Sequence, residues 1–171
     1  MINTMQLVER HLIRRNDPRF AVLDEACFHA KNIYNAANYE LRRAFIHEGR
    51  FISYNRLDKL MQSHEAYRTL PAKVAQWVLK GLVDNWKSFK EARERYQCDP
   101  SKFTGRPGLP KYKHKTEGRN ILIYTLQALQ GGQSKKGIQG IIQPSMLPIE
   151  IPTKHKHIAQ VRIVRTKATT S

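Results

Sequence analysis

The amino-acid sequence predicts an α+β chain in which a block of three helices interrupts a small β unit. Three observations predict it. Apolar residues recur at helical spacing from Phe20 to Phe89, and short apolar runs follow one another after Arg119. Between the two regimes lies a basic segment rich in proline and glycine. The expected organisation is a first strand within residues 1–16, a helical domain over 17–98, a basic loop over 99–119, and the remaining strands over 120–171. The first strand is expected to join the later ones in a single small sheet or barrel, which makes the helices an insertion.

Met5 to Ile13 reads as the first strand, with Met5, Leu7, His11 and Ile13 on one face and Gln6, Val8, Arg10 and Leu12 on the other. Asp17-Pro18 opens the first helix. Asp17 can accept from the free backbone N–H groups, and Pro18 suits a position that needs no donor. Phe20, Leu23, Cys27, Ala30, Tyr34, Ala37, Leu41 and Ala44 then recur at alternating intervals of three and four, a helical stripe that Gly49 ends. Ser53 opens a second helix to about Tyr67, with Leu57, Leu60 and Met61 as its apolar face. Leu70-Pro71 opens a third to about Tyr96, with the stripe Ala75, Leu79, Leu82, Trp86 and Phe89. Gly81 inside it costs about 1 kcal/mol relative to Ala, which suggests a close approach by another backbone.

Asp99-Pro100 ends the helical region. The loop that follows carries Lys102, Arg106, Lys111, Lys113, Lys115 and Arg119 against Asp99 and Glu117. Pro107 and Pro110 stiffen it, and Gly105 and Gly108 are expected to allow tight turns. Strands are expected at 120–125, 138–142, 148–152 and 158–165. Turns are expected at Gly131-Gly132, Gln143–Ser145 and Thr153–His157, and Val161 and Ile163 alternate with Arg162 and Val164.

Charge bounds the function. Thirty Lys and Arg face 14 Asp and Glu, for a net charge of +16, and such a field attracts polyanions. No run approaches the roughly 18 apolar residues of a membrane span, so no membrane partner and a cytoplasmic setting are expected. Cys27 and Cys98 lie far apart and read as two buried, reduced thiols. Arg106 offers a planar fork suited to phosphate. Phe103 and Tyr112 sit beside cations, as rings that stack on unpaired bases do.

Catalytic and metal-binding constellations are poor. His29 and His47 show no carboxylate spaced to orient them, and His155 and His157 share a face without a third ligand. After Asp99 only Glu117 and Glu150 are acidic, too few for a two-metal nuclease. No cofactor, no metal and no catalytic residue are expected.

LPAKVAQWVLKGLVDNWKSFKEA (70–92), followed by KFTGRPGLPKYKHKTEGRNILIYT (102–125), resembles the TnpB, or insertion-sequence OrfB, family. KNIYNAANYELRRAFIHEGRFISYNRL (31–57) and IPTKHKHIAQVRIV (151–164) extend the resemblance over almost the whole chain. It implies a wedge-type β-barrel interrupted by a helical recognition domain, with guide RNA and double-stranded target DNA as partners. It also implies that Tyr54, Gln76 and Thr125 contact target-adjacent DNA, and that Lys102, Arg106, Lys111, Lys113 and Lys115 grip the RNA or heteroduplex backbone. Tyr112 and Arg119 complete the expected contact set. Family members continue into a RuvC-like nuclease with a zinc ribbon. This sequence stops at Ser171 without the catalytic carboxylates, so binding without cutting is the expectation, with a possible separate nuclease chain. The alternatives are a stand-alone helix-turn-helix-like DNA regulator and an inactive truncated relic with an unpaired strand edge.

Overall fold

The computed structural model describes residues 6–131 and 140–166. In chain order it contains α1 (Arg19–Glu48), α2 (Tyr54–Met61), α3 (Glu65–Arg68), α4 (Ala72–Cys98), β1 (Leu122–Thr125), β2 (Leu129–Gly131), β3 (Ile141–Pro144), β4 (Ile151–Pro152) and β5 (Gln160–Ile163). The α+β class holds. The described strands make two small antiparallel sheets, β1–β5 and β2–β3–β4, and these do not close into a barrel.

Helix α1 begins and ends as expected. Asp17 Oδ1 accepts from the Arg19 backbone N–H at 2.9 Å. Gly49 adopts φ 63°, and its N–H and that of Arg50 satisfy Phe45 and Ala44 carbonyls. Every residue of the predicted stripe is buried except Phe20, which is half-buried. Helix α4 packs along α1 with Ala75, Leu79, Leu82, Trp86 and Phe89 buried. Trp86 meets Phe45, Phe51 and Phe89 edge-to-face. Its indole Nε1–H donates to Asn38 Oδ1 at 2.8 Å, and Asn38 is fully buried. Asn85 Nδ2 donates to the Tyr34 hydroxyl at 3.1 Å, a second polar link between these helices.

Several expectations are corrected. Residues 6–13 form no strand, and Met5 lies outside the described residues. The apolar side chains of that segment fall on both faces, so neither face can be buried whole. Leu7, Val8 and Leu12 stay exposed, and only Ile13 packs on the core. The predicted second helix is two: His64 breaks it by accepting from the Ala66 N–H through Nδ1 and starting α3. Leu60 is exposed, not buried. Gly81 faces open space with nothing within 4 Å, so no backbone approaches it. Gly105 and Gly108 likewise have open surroundings and no positive φ. Cys98 is exposed, while burial raises the Cys27 thiol to about 12.

In the β part, Leu122 and Tyr124 point inward and β1 lies against α4. β1 pairs with β5 from Leu122↔Ile163 to Thr125↔Gln160, and Val161 and Ile163 are half-buried while Arg162 and Val164 are exposed, as the alternation predicts. β2 was not anticipated. A 3-10 turn at Leu126–Ala128 separates it from β1, so what reads as one apolar run serves two sheets. Tyr124 Oη donates to the Ser145 carbonyl at 3.4 Å and ties the sheets together. The turn between β3 and β4 falls at Ser145-Met146, where Met146 takes φ 65°, rather than at Gln143–Ser145. Gly132 and the first two residues of the expected 138–142 strand lie outside the described residues.

Two substitutions test this packing. Asn38→Ala strips a buried indole N–H of its acceptor and is expected to cost about 1–3 kcal/mol. Urea unfolding should show a lower midpoint with an unchanged slope. Gly81→Ala adds a methyl into open space on a helix and should raise stability by up to about 1 kcal/mol; a loss in the same assay would contradict the open surroundings.

Candidate nucleic-acid interface

The basic loop is fastened to α1 through its main chain. Four residues of α1, spaced at intervals of four, three and four, reach it: Lys31, Asn35, Asn38 and Arg42. Arg42 Nη1 and Asn38 Nδ2 both donate to the Pro110 carbonyl, at 2.8 and 3.0 Å. Asn35 pairs with the peptide of Lys113 in both directions, accepting from its N–H and donating to its carbonyl at 2.9 Å each. Lys31 Nζ donates to the Lys115 carbonyl. Lys31 is buried with its ammonium over the Phe28 ring at 3.8 Å. Burial, then the charges of Arg119 and Lys115, lower its pKa.

This attachment uses backbone atoms, so the side chains of the segment remain available. Arg106, Lys111, Tyr112 and Lys115 are exposed, and none of the three cations has an ion-pair partner among the described residues. Lys113 is half-buried with Nζ 4.9 Å from the Tyr34 ring centroid, and burial lowers its pKa. The segment turns back toward β1 at His114–Gly118. His114 Nδ1 accepts from the Thr116 and Glu117 N–H groups, and the Gly118 N–H donates to the His114 carbonyl. A Cβ on Gly118 would lie 2.4 Å from that carbonyl oxygen, so only glycine fits.

Other predicted residues take different positions. Lys102 pairs with Asp99 at 3.4 Å. The Phe103 ring packs edge-on against Tyr96 and is not presented outward. Arg119 is a structural residue: its fork grips Asp24 at 3.0 and 2.9 Å, it donates to the Thr116 and Gly118 carbonyls, and it lies over Phe28. Arg165 reaches Asp24 from beyond β5, so one carboxylate joins α1, the loop and the last strand. Arg119 first, then Arg165, holds the Asp24 carboxyl below its ordinary range.

Tyr54 and Gln76 come together around Asp58. The Tyr67 hydroxyl donates to Asp58 at 2.9 Å, and the Gln62 and Gln76 amides donate at 3.1 and 3.5 Å. Burial and the Asp58 contact raise Tyr67 to about 12. Lys80 lies over both the Tyr54 and Trp77 rings. Thr125 ends β1 opposite Gln160, and among the described residues no hydrogen bond joins it to Tyr54 or Gln76. On another face, a groove of about 610 Å³ is lined in part by Arg43, Arg50, Arg56 and Lys59.

The histidines are corrected in two respects. Glu25 stands one turn before His29, 3.7 Å from its Nε2. His155 and His157 lie outside any strand; His155 instead faces Glu9, which accepts from the Thr153 hydroxyl and the Lys154 N–H. Among the described residues no group of three His, Cys, Asp or Glu is arranged to hold a metal, and no helix is long and apolar enough to cross a membrane. No model of a known protein family matches the chain, and no curated protein matches it.

Sequence reasoning missed the α1 anchors. Their signal was present: Lys31, Asn35, Asn38 and Arg42 each follow a stripe residue (Ala30, Tyr34, Ala37, Leu41) by one position, which forms a second, polar stripe beside the apolar one.

Asp24 makes a pH prediction. Its pKa is lowered on folding, so its contribution is full above the unfolded value near 4 and is lost as pH falls through the folded value. Melting temperatures of wild type and Asp24→Asn should differ by a constant gap above pH about 5 and converge below pH about 4. A gap that persists in acid would show that the carboxylate's charge is not what holds the two arginines.

Proposed function

We propose that this chain is the nucleic-acid-binding, amino-terminal part of a TnpB-like RNA-guided DNA endonuclease, with guide RNA and target-adjacent duplex DNA as its ligands. The observation that carries this reading is the main-chain attachment of residues 110–115 to α1, which leaves the Lys111 and Lys115 side chains exposed; like Arg106, they have no carboxylate partner among the described residues. Exposed cations that have no ion-pair partner among the described residues suit a polyanion's backbone, and the net charge of +16 adds a long-range attraction. In this reading the β segments belong to a wedge-type barrel and α1–α4 form its inserted recognition domain. Base pairing by the guide reads the target sequence, while protein reads backbone shape and a short motif. The cluster around Asp58 gives Gln76 a held amide, the group that pairs with an adenine edge in a groove, and Tyr54 and Thr125 contribute further contacts to target-adjacent DNA. In this reading residues 1–171 bind and do not themselves cut; cleavage belongs to a RuvC-like domain. The setting is cytoplasmic.

Filter binding tests the reading. Structured RNA from the end of the encoding element should bind more tightly than any duplex DNA; a preference for duplex alone would instead favour a DNA-binding regulator. Affinity should fall steeply with salt as counterions return. Replacing Arg106, Lys111 and Lys115 together with Ala should reduce the slope of log K against log salt by about 2–3. An unchanged slope removes the loop from the interface, and metal-dependent cleavage by the pure protein would overturn the binding-only role.

A further inference from the structure

We propose that the Tyr112 ring, backed by the Arg42 guanidinium, is a stacking platform for one unpaired base. The proposal rests on the nucleic-acid reading above and narrows its ligand from a polyanion to a strand with at least one base outside a duplex.

Tyr112 is 46% exposed. The Arg42 guanidinium carbon stands 5.1 Å from the ring centroid, behind one face. That guanidinium is itself held, because Nη1 donates to the Pro110 carbonyl at 2.8 Å. Asn38 donates to the same oxygen at 3.0 Å, which fixes the backbone two residues before the ring. Asn35 fixes the residue after it by bonding both polar atoms of the Lys113 peptide. The ring is therefore clamped on both sides along the chain and backed by Arg42, and nearly half of the residue's surface is open to solvent.

A held aromatic face beside the exposed Lys111, which has no ion-pair partner among the described residues, matches what a single strand offers: a π surface next to a phosphate. In a duplex the base faces are covered by their neighbours, so the same ring could reach only edges and backbone. Phe103 does not share the role, since its ring is engaged by Tyr96. The platform accepts one base. Arg42 is a positioning residue here: it keeps the ring upright and withdraws electron density from it without touching the ligand.

The test uses the full chain and a short oligonucleotide with a terminal dye and a central 2-aminopurine, whose emission falls when it stacks. A hairpin in which the same base is paired serves as the comparison. Anisotropy of the dye reports binding, and 2-aminopurine emission reports stacking. Wild type and Tyr112→Phe should bind the single strand and quench it. Tyr112→Leu should lose the quench, and its affinity for the single strand should drop roughly 5- to 100-fold, which brings its preference for unpaired over paired reporter close to one. Arg42→Met should weaken the quench more than the affinity, an effect that mere loss of positive charge would not produce. If Tyr112→Leu binds and quenches like wild type, the platform is rejected and the nucleic-acid reading stands. If wild type binds neither oligonucleotide, both readings fall.

Discussion

One side-chain amide connects the helical core with the basic loop. Asn38 accepts from the Trp86 indole on α4 and donates to the carbonyl of Pro110. It is fully buried, and its bond to the indole forms where water cannot substitute. The α1–α4 packing and the course of the loop thus share one group, beside the apolar stripes that join the helices and the Lys31, Asn35 and Arg42 bonds that hold the loop.

The attachment of the loop is selective about which atoms it uses. Binding the loop through side chains would have consumed the cations. Binding it through the carbonyls of Pro110, Lys113 and Lys115 restrains the backbone and leaves charge outward. Ordering a flexible segment at the moment of association is unfavourable, and here much of that ordering is complete in the free protein. Arg119 marks the limit of the pattern. It belongs to the same basic run, yet Asp24 holds it as part of the frame.

The helices were legible because their signals are local: an apolar stripe on α1 at strict intervals, an Asp17 carboxylate that accepts from the first helical N–H just ahead of the Pro18 cap, and a left-handed Gly49. The polar stripe through Lys31 and Arg42 was written in the same residues but resembled ordinary surface, since its meaning depends on a loop some 70–80 positions away. The same limit governs the β part. Alternation located Val161 and Ile163 correctly, but nothing local says that Leu126–Ala128 turns one apolar run into two strands of different sheets. Residues 6–13 misled for the opposite reason: they read as a strand but form no ladder, because strand pairing is a property of two segments and not one. Among the site residues, the exposure of Lys111 and Tyr112 followed from the sequence, whereas the internal roles of Arg119 and Phe103 required the partners Asp24 and Tyr96.

The Asp24 junction carries a consequence for the order of assembly. Its two arginines lie 95 and 141 positions downstream of the carboxylate they share. Long-range closures of this kind are entropically unfavourable until the intervening chain is already compact. During synthesis, which proceeds at about 5–20 residues per second, α1 and α4 can dock while Asp24 still awaits both partners. The carboxylate then waits several seconds before Arg165 arrives, so this tie between α1 and the segment after β5 forms once β1 can already lie against α4.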